Sequence, residues 1–362
     1  MFWLRVGLLV RNDNFNNGRR NVNANIRPDN CFKMAPSIRG FGMKTYRHLF
    51  DKLCSYENLL LAFQKARKRK TLKPYVIEFE KDLQNNLYRL QWELMTHTYQ
   101  PKPLTHFTVR EPKTRKISAS DFRDRVIHHA LINIIGPIFE SRFIHDTYAN
   151  RKGKGTKGAL DRFEKFMRQA TLNGRLTQDA TDNNQIIGYA LKADIYHYFD
   201  SVSHEVMLSI ISKRVKDQDV LWLVKVILAH HKSAETGKGM PLGNQTSQFF
   251  ANLYLSELDY FIKHTLRVKH YIRYVDDFII LSRSREELDA HQVKIKDFLF
   301  YRLKLTLHPQ KTQIKTLKSG ITLLGFREFY HYRLLKKSNQ RRIFKRLNRL
   351  QAIQKAGGGS EC

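Results

Sequence analysis

The chain has 362 residues, of which 42% are hydrophobic, and it carries 64 Lys and Arg against 33 Asp and Glu, a formal net charge of +31. That hydrophobic share excludes wholesale disorder, and at about 100–200 residues per domain the length allows two or three domains or subdomains. The surplus of positive charge calls for a polyanion, nucleic acid first. An anionic membrane comes second, because no apolar run approaches the roughly 18–20 residues of a spanning helix. The short apolar stretch Val6–Val10 lacks a small-residue cleavage site and does not read as a signal peptide. Cys31, Cys54 and Cys362 lie far apart without a C-x-x-C pair, which disfavours a disulfide framework and a cysteine zinc site and fits a reducing cytoplasm.

Residues 1–42 differ in texture from the rest. Eight Asn fall between Asn12 and Asn30, and neither a helical nor a strand period persists there. Helical faces begin with Leu49, Leu53, Leu59, Leu60 and Phe63, and the spacing of Val76, Phe79, Leu83, Leu87 and Leu90 predicts a helix over Val76–Leu94. Phe107–Ser118 reads as strand, turn and strand, with Pro112 in the break. Asp121–Phe139 reads as a long helix, residues 151–158 (RKGKGTKG) as a basic glycine-rich loop, and residues 171–187 as a polar surface loop. Gly188–Tyr198 is a strand ending in a charged, aromatic turn. Asn244–Leu266 puts Phe250, Leu253, Leu258, Phe261 and Ile262 on one helical face. His128-His129 and His230-His231 are poor chelators, since neighbouring helical side chains point about 100° apart.

Tyr271–Leu281 (YIRYVDDFIIL) is apolar on both sides of a bare Asp-Asp pair. Two carboxylates in such a run are costly to bury and belong at a hairpin tip, where they can meet a cation. A second strand also ends in a carboxylate, Asp194. Placed side by side, the two strands bring Asp194, Asp276 and Asp277 together. Such a cluster repels itself unless a hard divalent ion, most simply magnesium, screens it. Two ions about 3.5–4 Å apart suit a phosphoryl transfer.

Residues 43–350 resemble reverse transcriptases, with motifs in the order that family requires: KADIYHYFDSV, GMPLGNQTSQFFANLYLSELD, YVDDF, HPQKTQI and TLLGF. The resemblance implies an α+β right-hand polymerase. Fingers are expected within residues 43–187, after N-terminal helices. A palm, an antiparallel sheet backed by helices, is expected over 188–326, a short basic thumb helix over 327–355 and a flexible tail over 356–362. Leu242-Gly243 and Ser247-Gln248, which replace the more usual Gln-Gly and Ser-Pro, together with the compact length and the RKGKGT loop, resemble the enzymes of diversity-generating retroelements. Those enzymes copy a template-repeat RNA into cDNA, misincorporate opposite adenine and so diversify a target gene by mutagenic retrohoming. Retron and group II intron enzymes share the palm and form the alternative. A non-catalytic basic RNA-binding protein on a decayed palm is the alternative from another class.

The resemblance assigns roles residue by residue. Asp194 and Asp276 are the principal ligands of two Mg2+ ions, Asp277 completes the acidic cluster, and the carbonyl of Ile195 adds a backbone ligand. Lys311 protonates or holds the leaving pyrophosphate. Arg110, Arg115 and Lys116 close on the incoming dNTP triphosphate. Phe199, five residues after Asp194, is the steric gate against a 2′-hydroxyl. Gly243 allows close approach to the templating pair, with Leu242 and Gln248 beside it, and Leu242 and Arg115 carry the expected infidelity at adenine. Leu324, Gly325 and Phe326 form a primer grip. Arg151, Lys152 and Lys154 are read as template-backbone contacts.

Tyr330–Lys355 holds nine Lys or Arg, with Ile343, Leu347, Leu350 and Ile353 on one stripe, as in a thumb helix apolar towards the palm and basic towards a duplex. The thumb is short, so a small accessory protein is expected to help grip template RNA and cDNA, and no RNase H or maturase extension fits in the remaining length. Asn codons are adenine-rich, so residues 1–42 read either as translated template repeat, with Met43 as the natural start, or as a disordered RNA-binding arm.

Overall fold

The computed structural model describes residues 44–110, 114–174, 186–231 and 235–357. The expectations for residues 1–42, for Met43 as a start, for the 111–113 turn, for most of the 171–187 loop and for the tail beyond 357 lie outside the described residues.

Four helices come first: α1 (Phe50–Cys54), α2 (Tyr56–Arg67), α3 (Pro74–Lys81) and α4 (Leu83–Met95). The single helix expected over Val76–Leu94 is two. The backbone leaves helical geometry at Asp82 (φ −128°, ψ 50°), and Asn86 donates across the break to the Phe79 carbonyl at 3.0 Å. The apolar period runs through the break because both helices face the same core, where Val76, Leu87, Leu90 and Leu94 are buried. Strands β1 (Thr105–Val109) and β2 (Arg115–Ala119) pair antiparallel, Val109 opposite Arg115. Helix α5 (Phe122–Glu140) is capped by the Asp121 side chain and buries Phe122, Val126, Ile127, Leu131 and Ile135. Helix α6 (Thr156–Ala170) is strictly one-sided, burying Ala159, Leu160, Phe163, Phe166 and Met167.

Next come β3 (Tyr189–Ala193), α7 (Tyr198–Ser201), α8 (His204–Ser212), α9 (Gln218–Ala229) and α10 (Gln245–Tyr260), which continues as a π-turn over Phe261–Thr265. Then follow β4 (Tyr271–Tyr274), β5 (Asp277–Ser282), α11 (Arg285–Leu303), β6 (Gln313–Thr316), β7 (Ile321–Leu323), β8 (Phe326–Glu328), β9 (Arg333–Leu335) and α12 (Lys337–Gly357). The central sheet has the order β4-β5-β3-β6, antiparallel throughout. β7, β8 and β9 form a second antiparallel sheet.

The central sheet is covered on both faces. Leu191, Tyr271, Phe278 and Ile280 join the core that contains α10 and α11, whereas Ala190, Ile272, Ile279 and Leu281 pack with α6 and the second sheet. This is why YIRYVDDFIIL is apolar without alternation. No helix among the described residues is long and apolar enough to cross a membrane.

The basic helix α12 departs from expectation. Ile343, Leu347, Leu350 and Ile353 are 47–59% exposed, so its apolar stripe does not pack on the palm. The helix is tethered at its start, where Lys336 N–H and the Asn339 side chain both donate to the Gly325 carbonyl.

One carboxylate ties distant parts of the chain together. Asp217 Oδ1 accepts from the Asp219 and Val220 amides at the start of α9, and its Oδ2 accepts from Leu49 and Phe50 at the start of α1. Two sets of helix N-terminal donors are thus satisfied by one side chain. At a typical ~1 kcal/mol per cap, Asp217→Ala is expected to cost about 2 kcal/mol, read as a lowered denaturant midpoint at unchanged slope. A midpoint equal to that of the wild type would remove the double-cap assignment.

Candidate active site

The sheet register decides which residues meet. Ala193, the last residue of β3, lies opposite Phe278 of β5, and Tyr274 lies opposite Asp277 across the β4–β5 hairpin. Asp194 therefore leaves β3 beside the Asp276-Asp277 corner. Beyond β3 the chain stays held: Asp194 O accepts from His308 N–H at 2.7 Å, and Tyr196 N–H donates to Thr306 O. This second pairing brings the 308–311 segment alongside, and Lys311 Nζ donates to Asp194 Oδ2 at 3.0 Å.

The hairpin corner is tight. Only Val275 and Asp276 separate the paired residues Tyr274 and Asp277. Val275 has φ +57°, a position where two-residue hairpins usually place glycine and where a β-branched side chain is strained. Asp276 is partly buried in this corner. Burial first, then the Asp277 and Asp194 carboxylates, push its pKa from 3.8 to about 6. Lys311 opposes that shift but does not cancel it.

Among the described residues, no group of three His, Cys, Asp or Glu side chains is already arranged to hold a metal ion. The expected three-carboxylate cage is thus not preassembled, and the Lys311 ammonium lies on one Asp194 oxygen. The donor chemistry nevertheless suits a hard divalent cation. Carboxylates stand at the ends of two paired strands, and burial with the Asp277 and Asp194 carboxylates raises the pKa of Asp276.

The β1–β2 hairpin is clamped to the loop before α10. Ser118 N–H donates to the Leu242 carbonyl at 2.9 Å, and Ser120 N–H donates to the buried Asn244 side chain at 3.1 Å. The residues of β2 that meet Leu242 and Gly243 are thus Ser118 and Ile117, while Arg115 and Lys116 precede them on the same strand, exposed, and Arg110 is exposed just past β1. Gly243 sits at φ +123°, and a Cβ there would meet Ile117 Cγ2 at 2.7 Å. What this glycine demonstrably allows is close packing of β2, a reason distinct from approach to a templating pair. Gln248 lies in the first turn of α10, half-buried, its amide donating to Asn244 O.

Phe199 is half-buried in α7. Its carbonyl accepts from Met240 N–H, and its ring packs against Tyr198. Ile195 bridges to Leu307 on the far side from the hairpin. Leu324 (φ +47°) and Gly325 (φ +91°) form the two-residue turn between β7 and β8, with Phe326 opening β8. The strand β3 reaches this second sheet directly, because Lys192 Nζ donates to Thr322 O at 3.0 Å.

The basic loop is not the uniform phosphate contact expected of it. Arg151 turns inward: its guanidinium bonds Glu140 at 2.6 Å and the carbonyls of Ile144 and Thr147. That corrects its reading as a template contact, since these bonds leave the Arg151 side chain only 9% exposed. Lys154 donates to His145 O and lies over the Tyr148 ring, while Lys152 is exposed. His128 is buried, and desolvation lowers its pKa to about 3, as befits a neutral core imidazole.

Sequence reasoning missed Arg273, Asp259, Lys192 and the cap Asp217. Arg273 carried a signal, because a lone cation inside an apolar run buried on both faces requires a dedicated acceptor set.

The pKa shift of Asp276 has a stability consequence. Its folded-state pKa lies above its unfolded value, so the native chain binds more protons between these pH values. Stability therefore falls as pH rises from about 4 to about 6, and the penalty is complete above that window. In chelator-treated protein, Asp276→Asn is expected to raise stability at pH 8 by ~1–3 kcal/mol and to change little near pH 4. A variant no more stable than wild type at pH 8 would contradict the charge frustration.

Residues 101–327 match the profile of the family described as reverse transcriptase (RNA-dependent DNA polymerase). Among curated proteins, the chain is 24% identical over 277 residues to Protein YkfC of Escherichia coli (strain K12), covering 66% of this chain and 70% of that one. It is 21% identical over 302 residues to the Group II intron-encoded protein LtrA of Lactococcus lactis subsp. cremoris, covering 63% of this chain and 47% of LtrA. Among solved structures, apo telomerase from Candida tropicalis truncated from its C-terminal domain aligns with a TM-score of 0.48 and 12% identity, over 67% of this chain and 58% of that one. The chain spans about half the length of the intron protein and of the telomerase it matches. With the profile covering more than half of its residues in an antiparallel palm-like sheet backed by helices, the chain belongs to the reverse transcriptase family.

Proposed function

We propose that this protein is the RNA-directed DNA polymerase of a diversity-generating retroelement, copying a template-repeat RNA into cDNA with errors at adenine. The observation that carries the polymerase reading is the β3–β5 register, which sets Asp194 beside the Asp276-Asp277 corner. The retroelement subtype rests on the Leu242-Gly243 and Ser247-Gln248 variants, the RKGKGT loop and the Asn-rich segment before Met43. A group II intron or retron type of enzyme is the second reading, and the similarity to LtrA favours it.

In this reading a primer 3′-hydroxyl attacks the α-phosphorus of a dNTP and pyrophosphate leaves. Asp194 and Asp276 would hold magnesium, and Asp277 and the Ile195 carbonyl would supply further oxygen donors. When bound, magnesium supplies Lewis-acid stabilisation of the charge on the transferring and leaving phosphates. Lys311, which bonds Asp194 in this structure, would protonate or hold the leaving pyrophosphate. Arg110, Arg115 and Lys116 neutralise the triphosphate from the fingers side. The clamp of β2 on Leu242 keeps that basic face in register with the α10 loop. Phe199, half-buried in α7 five residues after Asp194, would act as the steric gate against a ribose 2′-hydroxyl. Lys152 and the basic face of α12 contact nucleic-acid backbone, and a small accessory protein supplements the grip.

Primer extension on an RNA template tests the reading. The wild-type chain is expected to incorporate dNTPs with magnesium, and Asp276→Asn is expected to lower the rate by at least ~10³-fold while remaining folded. Normal extension by that variant would remove the catalytic assignment. Phe199→Ala is expected to raise ribonucleotide incorporation, and unchanged sugar selectivity would return Phe199 to the core. Sequencing the cDNA separates the subtypes: errors concentrated opposite adenine, and reduced by Leu242→Gln, support the retroelement, whereas uniform fidelity supports the intron or retron type.

A further inference from the structure

Arg273 is a fully buried cation, and it lies two residues before the strained Val275. Every N–H of its guanidinium has an acceptor. Nε bonds Asp259 Oδ1 at 2.7 Å, and Nη2 bonds Asp259 Oδ2 at 2.6 Å and the Asn252 carbonyl at 3.3 Å. Nη1 bonds Asn252 Oδ1 at 3.2 Å and the Val275 carbonyl at 2.9 Å. Asp259 is equally complete, since Tyr271 OH and Thr147 Oγ1 fill its remaining acceptor positions at 2.6 and 3.1 Å. Neither charge is exposed to solvent.

A buried ion pair is weak evidence for stability, because desolvation offsets the attraction. Its geometry here does something a well-packed apolar pair would not. Asp259 and Asn252 both stand on α10, and the same guanidinium that grips them also grips the carbonyl of Val275. The planar fork thus fixes the hairpin corner relative to α10, the helix whose leading loop carries Leu242 and Gly243. The main chain of Arg273 is pinned as well, its N–H on Asp146 O and its carbonyl on Tyr148 N–H, both at 3.0 Å. A β-branched residue at φ +57° persists only where its surroundings over-determine it.

We infer that Arg273 is a positioning residue: through Asp259 and Asn252 it locks the Val275 carbonyl, and so sets where Asp276 stands relative to α10. This rests on the polymerase reading of the Asp276 corner. Arg273 touches no reacting group. Its effect is on how well the corner is placed, which belongs to the rate of the chemical step rather than to the affinity for nucleotide or primer.

Arg273→Lys keeps the buried charge opposite Asp259 but loses the fork. The double variant Arg273→Gln with Asp259→Asn buries no lone charge, and it serves where the lysine variant does not fold. Steady-state extension is measured on folded protein, with the melting temperature followed in parallel. The expected result in either variant is a kcat lowered ~10- to 100-fold, with the dNTP KM and the primer–template Kd within about twofold of wild type. Adding Val275→Gly, which takes positive φ without strain, is expected to restore part of kcat in the lysine background without restoring the melting temperature. A lowered melting temperature with wild-type kcat in the folded variants would overturn the inference and leave Arg273 a structural residue. An active wild type beside equally active variants overturns this inference alone. A wild type that extends no primer overturns the polymerase reading, and this inference with it.

Discussion

The molecule depends on the pairing of β3 with β5. That register is strongly fixed, because both faces of the sheet are buried and a slip of one residue would exchange the residues facing α10 and α11 with those facing α6. The same register determines that Asp194 emerges beside the β4–β5 corner. Packing thus performs the positioning: apolar side chains along the strands define the alignment, and the carboxylates at its end inherit their placement.

The corner is electrostatically unfinished while its surroundings are complete. Asp276 is raised to about 6 by burial and by neighbouring carboxylates, and the nearby cation, Lys311, bonds Asp194. Nearby, Arg273 and Asp259 have every donor and acceptor matched, and Arg273 also bonds the Val275 carbonyl. A fully hydrogen-bonded ion pair thus holds the main chain next to an acidic corner. The fingers hairpin joins the same body through Ser118 and Ser120, so its basic residues are held in register with α10 and not merely tethered near it.

Much of this was legible in the sequence. The apolar residues flanking Asp276-Asp277 announced a hairpin with the carboxylates at its tip, and Asp194 in Gly188–Tyr198 announced its partner. Other features were not. The break at Asp82 was hidden because the apolar period continues across it. Arg151 sat in a basic glycine-rich loop and read as a phosphate contact. Its inward turn depends on Glu140 and two carbonyls that only the fold assembles. The thumb-like stripe on α12 has the right period but no apolar surface beneath it, and helical period alone does not say what a face meets. Asp217 carried no sequence signal of its double role, because Leu49 and Phe50, which it also caps, lie far upstream in the chain.

The most direct test of the central arrangement is cation-directed backbone cleavage. Ferrous iron substituted for magnesium, with ascorbate, generates hydroxyl radicals that cut the chain beside the bound ion. Two sets of fragments are expected together, one ending near Asp194 and one near Asp276, both suppressed by excess magnesium. Cuts at only one of these strands, or none at either, would contradict a shared cation site at the end of the β3–β5 pair.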